Sequence, residues 1–564
     1  MIDQKHTFFI QLSFFFGFLI VGFLLASFVF RYVEIEHPAY LWDWGGYFDF
    51  YRNLGAIAKN DFQSAFHSVL KSIRSDDYNI SSISLLLPFY FLLGPERVAY
   101  ISGIVVFFLI PAVFVTIYFC SIAYRDNISN ISKYAALIFV IFFPPFWQAA
   151  LRGLPDVVGL VPLGIASILL IKSEYFTRRF ITFSIAIGVL VWMAFMFRRW
   201  YAYAGISLLC CAFLMALWQN WIRNKSLRKL LIAVVPFFVL VLVGATLLAT
   251  LQLELVSRII HTSYVEIYKA YQAPISNQLI RYYSHSGPLF AILLTVGFLI
   301  SLRNGYLDVL FFFSVGVLTM ILFSTTQAPG VQHGLPIYFF LMPAVLVPIF
   351  KFFGNPSYFY HKAVFLVILI IVPVIYLTSF FPAVHRALPF IATIAPPLSY
   401  HPLHLANYSE YRRLIDDMHQ MLDKKDRFAV FASNVFLADS LLRALDRTLE
   451  PHISWVSQVD QKDGFRISTL KARFAIIATP TPIHLPENSQ RVIIVPSEMI
   501  KSGEGIGKDY RLVSGPYALD YGHNAFVYER LAPVTAGAIR DLEAAFKIFH
   551  KDWLWDGKDK ISPP

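Results

Sequence analysis

Long apolar runs recur along the first two thirds of this chain, and no other feature limits its fold as tightly. A helix needs about 20 apolar residues to cross the hydrocarbon core of a bilayer. Runs of that kind fall near 8–30, 98–121, 134–151, 155–171, 180–197, 201–219, 230–250, 288–302, 307–324, 335–350 and 363–381, eleven in all. Hydrocarbon offers the backbone no water to bond, so each such run is expected to close its own hydrogen bonds as a helix. A shorter run, Ile83–Leu93, contains Pro88 and follows the polar segment Ser75–Asn79. It reads as a juxtamembrane or re-entrant helix that does not cross. The first run is too long for a cleavable signal, and no small-residue cleavage site precedes Arg31.

Composition agrees with this reading. Charged residues make up 15% of the 564, where a soluble domain carries about 25%. Of the 47 basic and 36 acidic residues, 21 of each lie from His401 onward, which leaves 26 basic against 15 acidic in the apolar part. The excess therefore belongs to the loops between spans. A nucleic-acid partner is excluded, because it would need positive charge gathered on a polar face.

The loop cations also orient the chain. With the N-terminus and Lys5 in the cytoplasm and Ile83–Leu93 not crossing, Arg125, Lys133, Lys172, Arg178, Arg179, Arg223, Lys225, Arg228, Lys229, Arg303, Lys351 and Lys362 all fall inside. An odd number of spans then places the C-terminus outside. Three longer stretches are expected on that outer side: 31–97, about 251–287, and everything after about 382.

The last stretch begins with prolines and becomes polar from about Asn407. Its patterning predicts helices at 408–423, 436–446 and 534–550, and strands at 427–433, 473–479, 491–496, 510–514 and 524–530. The expected fold is an α-helical polytopic membrane protein of about eleven transmembrane helices with a C-terminal non-cytoplasmic α/β domain. The expected division is 1–400, with its external loop 31–97, and 401–564. Cys120, Cys210 and Cys211 all sit in apolar runs, so neither a disulfide framework nor a zinc spacing is present.

Four outward-facing stretches carry chemically able residues. The first, Tyr40–Arg52, sets Asp43 and Asp49 among Trp42, Trp44, Tyr47 and other aromatics, with Gly45-Gly46 between. Aromatic walls desolvate a carboxylate and make it a better base; an interfacial aromatic belt with two solvated acids is the alternative. The second, Arg152-Gly153-Leu154-Pro155-Asp156, opens a span with an acid. Asp156 could cap that helix or face the same cleft as Asp43. The third, Arg198-Arg199-Trp200, puts two arginines outside against the charge bias. Arginine binds phosphate bidentately, so a lipid-carried phosphate is one reading and snorkelling to ordinary lipid the other. The fourth holds Gln332 and His333, suited to a phosphate or a sugar hydroxyl or to a plain loop. Loop 251–287 adds Glu254, Arg258 and His261 without a recognisable spacing.

Taken together these motifs resemble the type C glycosyltransferase superfamily, which includes the protein O-mannosyltransferases and the lipid A aminoarabinose transferases. The resemblance covers most of the chain in architecture and short motifs. It rests on Asp43 followed by Tyr47 in the first external loop, on the apolar stretch Asn79–Gly94 with Leu87-Pro88, on Asp156 opening a span, and on the terminal α/β domain. The family's Asp-Glu pair is absent, since Trp44 follows Asp43, and this leaves the base open between Asp43 and Asp49.

The resemblance implies a sugar donor on a polyprenyl phosphate, transfer with inversion, and a glycan, lipid or protein acceptor on the extracytoplasmic side; the absence of cysteine from the C-terminal domain fits a bacterial inner membrane. The resemblance also implies Asp43, Asp49 and Asp156 as catalytic acids or bases, and Arg152, Arg198, Arg199, His333, Gln332 and Tyr47 around the donor's lipid phosphate. Neither a metal nor another cofactor is expected. The alternatives are an O-antigen polymerase or ligase, which usually carries its large loop between spans, and a transporter, which would place charge at mid-membrane.

Overall fold

The computed structural model describes residues 22–176, 179–224, 234–354, 359–396 and 401–563. Among these, nine helices are long and apolar enough to cross a membrane. A tenth arises if the bent pair Val235–Leu251 and Leu253–His261, which meet at 101°, forms one span. These match ten of the eleven expected runs. Most of the first run lies in 1–21, outside the described residues, as do the loop cations Arg178, Lys225, Arg228 and Lys229.

One span runs well beyond its expected bounds, and the short run before it does not cross, as expected. The run expected at 288–302 belongs to a helix from Ile275 to Asn304 that breaks at Gly287. Pro288 has no N–H to donate, and Gly287 takes φ +81, a conformation open to glycine. Ile83–Leu93 forms two short helices, Ser81–Ser84 and Leu87–Leu93, neither able to span.

The chain divides into two compact units. The membrane unit holds residues to Glu34, Tyr47–Thr262 and Ala273–Pro402. Its helix Leu335–Phe352 is apolar all round and buried from Leu335 to Val347, as a helix surrounded by other helices must be. Tyr360–Leu377 is mostly uncovered by protein and presents its apolar side chains outward.

The polar unit holds Ile35–Gly46, Ser263–Gln272 and Leu403–Pro564. The segment carrying Asp43 thus belongs to this unit, although its sequence neighbours on both sides belong to the other. A four-stranded mixed sheet runs Phe428–Val430, Phe474–Thr479, Asn524–Arg530, Tyr510–Ala518 in spatial order. The first pair is parallel and the others antiparallel. Phe474–Thr479 alternates cleanly: Phe474, Ile476 and Ala478 join one core, and Ala475 and Ile477 the other.

The strand expected at 491–496 is instead the start of a helix, Arg491–Ser502. Its β-branched run Val492-Ile493-Ile494-Val495 reads locally as a strand. Burying Val492, Ile493, Val495 and Ile500 in the second core, with Gly503 closing the helix at φ +71, outweighs that propensity.

Candidate functional site

The membrane unit gathers three of the four motif-bearing stretches. Helix Phe180–Phe197 stops as Arg198 turns extended (φ −151, ψ 115), and the next helix starts at Tyr201. This sharp reversal is tied by Tyr201 N–H donating to Arg198 O at 2.9 Å. Asp156 comes from another reversal, where Gly153 at φ +79 leads into a 3-10 turn, Pro155–Gly159. A side chain on Gly153 would stand 2.6 Å from the Arg97 guanidinium. Asp156 does not cap the following helix, Leu160–Lys172, whose cap position is Gly159.

Its carboxylate instead accepts from Arg198 Nε at 2.9 Å, with side-chain exposures of 0% and 2%. The Arg198 guanidinium carbon lies 3.7 Å from the centre of the Trp200 ring, 4.6 Å from Tyr47 and 5.6 Å from Tyr78. Aromatic faces attract the cation and keep water from it. Arg199 pairs with Asp77 at 3.1 Å, and Arg258 approaches the same carboxylate at 3.8 Å. His333 stands edge-on to Trp200, 4.9 Å between ring centres. Its Nδ1 accepts from Gly330 N–H at 3.0 Å, which fixes the proton of the neutral ring on Nε2, leaving that nitrogen a donor.

The other expected residues sit apart from this cluster's core. Gln332 folds back on Gly330 of its own loop. Arg152 is buried and donates to the His401 carbonyl at 2.9 Å. Asp49 is half-buried on helix Trp42–Asn60. Asp43 lies in the first turn of that helix, within the part assigned to the polar unit. Gly45 belongs to this helical turn; a side chain there would meet the Tyr40 carbonyl at 2.2 Å.

Asp77, Tyr78 and Arg97 were not singled out by the sequence, and Arg258 was named only as part of a loop without a recognisable spacing. Their only trace is a polar run before the short helices and an amphipathic loop, and neither carries a spacing that pairs residues more than 100 positions apart. Arg97 is buried and donates to the Arg152 carbonyl at 2.9 Å, so it builds the turn that presents Asp156. Among the described residues no group of three or more His, Cys, Asp or Glu side chains could hold a metal ion.

Chemically, the cluster is a pair of adjacent, oriented cations in an aromatic surround, next to a neutral histidine donor. It suits an anion with several oxygens, such as a phosphate ester. Neither a family model nor a curated protein matches the chain. Among solved structures it is similar to ArnT from Cupriavidus metallidurans bound to undecaprenyl phosphate, with 13% identity, a TM-score of 0.45, and 93% of this chain and 99% of that one covered. It is also similar to the apo state of the same protein, at 12% identity and a TM-score of 0.45, covering 91% and 98%.

Proposed function

We propose that this chain is a membrane glycosyltransferase that takes a sugar from a polyprenyl-phosphate donor and passes it, with inversion, to an acceptor outside the cytoplasm. The observation that carries the reading is the Arg198–Arg199 pair, with Arg198 dry and Arg199 15% exposed, oriented by Asp156 and Asp77, and walled by Tyr47, Tyr78 and Trp200. Two arginines fixed by carboxylates at the ends of apolar helices, one of them buried, fit a phosphate that arrives on a lipid.

In the reaction, an acceptor oxygen attacks the anomeric carbon as its proton passes to a carboxylate. The bond from that carbon to the phosphate oxygen breaks, and the phosphate leaves with the electron pair. Charge grows on the departing phosphate, so preorganised cations stabilise the transition state more than the ground state. Arg198 and Arg199 take that part, with His333 Nε2–H as a further donor. Asp156 positions Arg198; its carboxylate is engaged and fully buried, which suits it poorly to accept a proton. Asp43 is the preferred base. No metal step is required by these residues.

The loop charges support a place for the cluster on the outer side, and the absence of cysteine from the C-terminal region fits a bacterial inner membrane. The test compares surface glycans and lipids by mass spectrometry in cells with the intact protein, Asp43→Asn, Arg198→Ala or a deletion. The reading expects a glycan mass present only with the intact protein. A deletion that alters no glycan mass refutes the enzyme, whereas an active Asp43→Asn refutes only the base.

A further inference from the structure

The polar unit contains a cavity of about 410 Å³, within the usual range for small-molecule sites. Trp42, Tyr271 and Trp455 supply its aromatic surface. Its acids are already engaged. Asp439 accepts from Ser440 N–H at 2.6 Å and Val456 N–H at 3.3 Å. Asp463 accepts from Gln458 N–H at 3.1 Å and Val459 N–H at 2.9 Å.

The lining cations are Arg443, Lys462 and Arg466. Arg443 lies over Trp455, its guanidinium carbon 5.4 Å from the ring centre. Two buried donors lining the cavity, Ser440 Oγ and Trp42 Nε1, have no hydrogen-bond partner among the described residues. Buried polar atoms left that way are costly, and a ligand hydroxyl would relieve both.

A second cavity of about 620 Å³ shares Trp455 and Arg466 with the first and adds Lys425, Arg427 and Lys471. From His401 onward basic and acidic residues are equal in number, yet cations collect along these two cavities. Lys425, Arg427, Lys462, Arg466 and Lys471 have no carboxylate partner within 4 Å among the described residues.

From this arrangement we infer that the two cavities form one glycan-binding trough, with a sugar ring stacked on Trp455 and a negatively charged substituent of the glycan held by Lys462 and Arg466. Sugar rings present C–H faces that stack on indole and hydroxyls that bond to donors such as Ser440 Oγ and Trp42 Nε1. The cations add selectivity for an acidic saccharide over a neutral one. Asp43 lies close enough to Tyr271, a lining residue, for its charge to act on that phenol. The trough thus holds its glycan beside the proposed base. That the bound glycan is the acceptor rests on the transferase reading; the binding itself does not.

The full-length protein in phosphatidylcholine nanodiscs is titrated with tetragalacturonate, followed by calorimetry, with maltotetraose and inorganic phosphate as comparison probes. Saturable tetragalacturonate binding is expected, weakened at least tenfold by Trp455→Ala, largely kept by Trp455→Phe, and abolished by Lys462→Glu with Arg466→Glu. Lys462→Arg with Arg466→Lys should retain it, and an unchanged unfolding temperature of the Lys462→Glu with Arg466→Glu protein excludes misfolding as the cause. Maltotetraose binding equally well overturns the acidic preference. Inorganic phosphate binding as tightly as the oligomer reduces the site to a plain anion site and overturns the trough. Loss of the signal when phosphatidylglycerol replaces part of the nanodisc lipid assigns the cations to headgroups and overturns it as well. Arg198→Ala should lower transfer by about 10²–10³-fold and leave tetragalacturonate binding intact. A trough that binds in a protein without transferase activity would refute the enzyme alone, and an active enzyme with no tetragalacturonate binding would refute the trough alone.

Discussion

Each unit of this molecule sets an arginine on a tryptophan, and the two stacks are built differently. In the membrane unit the Arg198 side chain is 2% exposed, its guanidinium carbon lies 3.7 Å from the Trp200 ring centre, and it is locked to an equally dry Asp156 at 2.9 Å. In the polar unit the Arg443 side chain is 19% exposed, stands 5.4 Å from the Trp455 ring centre, and faces Glu450 at 3.6 Å. Away from water, a charge pair is strong and each partner depends on the other. In water, the same groups interact weakly and can rearrange. The first stack is suited to hold one geometry through a reaction, the second to accommodate a ligand.

The sharpest way to break this contrast is at Arg198. Arg198→Ala should lower turnover by about 10²–10³-fold, the usual loss for one transition-state donor, measured as glycan transferred per enzyme in nanodiscs. A loss of less than tenfold would mean that Arg198 does not face the leaving group. Next is its partner. Asp156→Ala leaves a buried guanidinium without its carboxylate and should destabilise the membrane unit by about 3–5 kcal/mol. Thermal unfolding of the purified protein would report this, and Asp156→Asn, which keeps a hydrogen-bond acceptor, should lose less. Equal unfolding temperatures for all three proteins would show that the pair is not structural.

The polar unit offers a pH test. Burial pushes the Asp439 carboxyl up from 3.8 to about 6, against the opposing pull of the Ser440 and Val456 N–H groups and of Arg443. A raised carboxyl pKa means that the folded state binds more protons than the unfolded state between those two values. The contribution of Asp439 to the stability of this unit therefore falls as pH rises from about 4 to 6 and is level above it. The full change is about 3 kcal/mol, since moving a pKa by one is worth about 1.4 kcal/mol. Denaturant midpoints of the polar unit, followed by tryptophan fluorescence at pH 4 and pH 7, should show that slope, and Asp439→Asn should flatten it. A slope that survives in Asp439→Asn would assign the titration elsewhere.

How much of this could be read from the sequence depends on the range of the interaction. The spans were legible because lipid imposes one requirement, about 20 apolar residues, on each segment separately. Arg198 and Arg199 stood out because they defied the charge bias. The strands on either side of Phe474–Thr479 were legible as short apolar or β-prone runs, whereas Arg491–Ser502 was not, since its helical state is decided by the core it meets. Asp77 and Arg258 reach the arginine cluster through pairings over long sequence separations, for which one sequence holds no signal. The assignment of Ile35–Gly46 to the polar unit is of the same kind: Ala39 and Leu41 pack with Leu405 and Leu414, hundreds of residues away.

The smallest expected effect is the most discriminating for the comparison. Arg443→Ala removes a stack and an ion pair of the same chemical types as those at Arg198. Glu450 is 51% exposed, and pairs open to water contribute about 0–1 kcal/mol. The stack adds about 0.5–1 kcal/mol at an exposed site. The unfolding free energy should therefore change by no more than about 1–2 kcal/mol, while tetragalacturonate affinity falls. If Arg443→Ala instead destabilises the protein as strongly as Asp156→Ala, the two stacks are equivalent structural locks, and the division into a fixed site and an adaptable one fails.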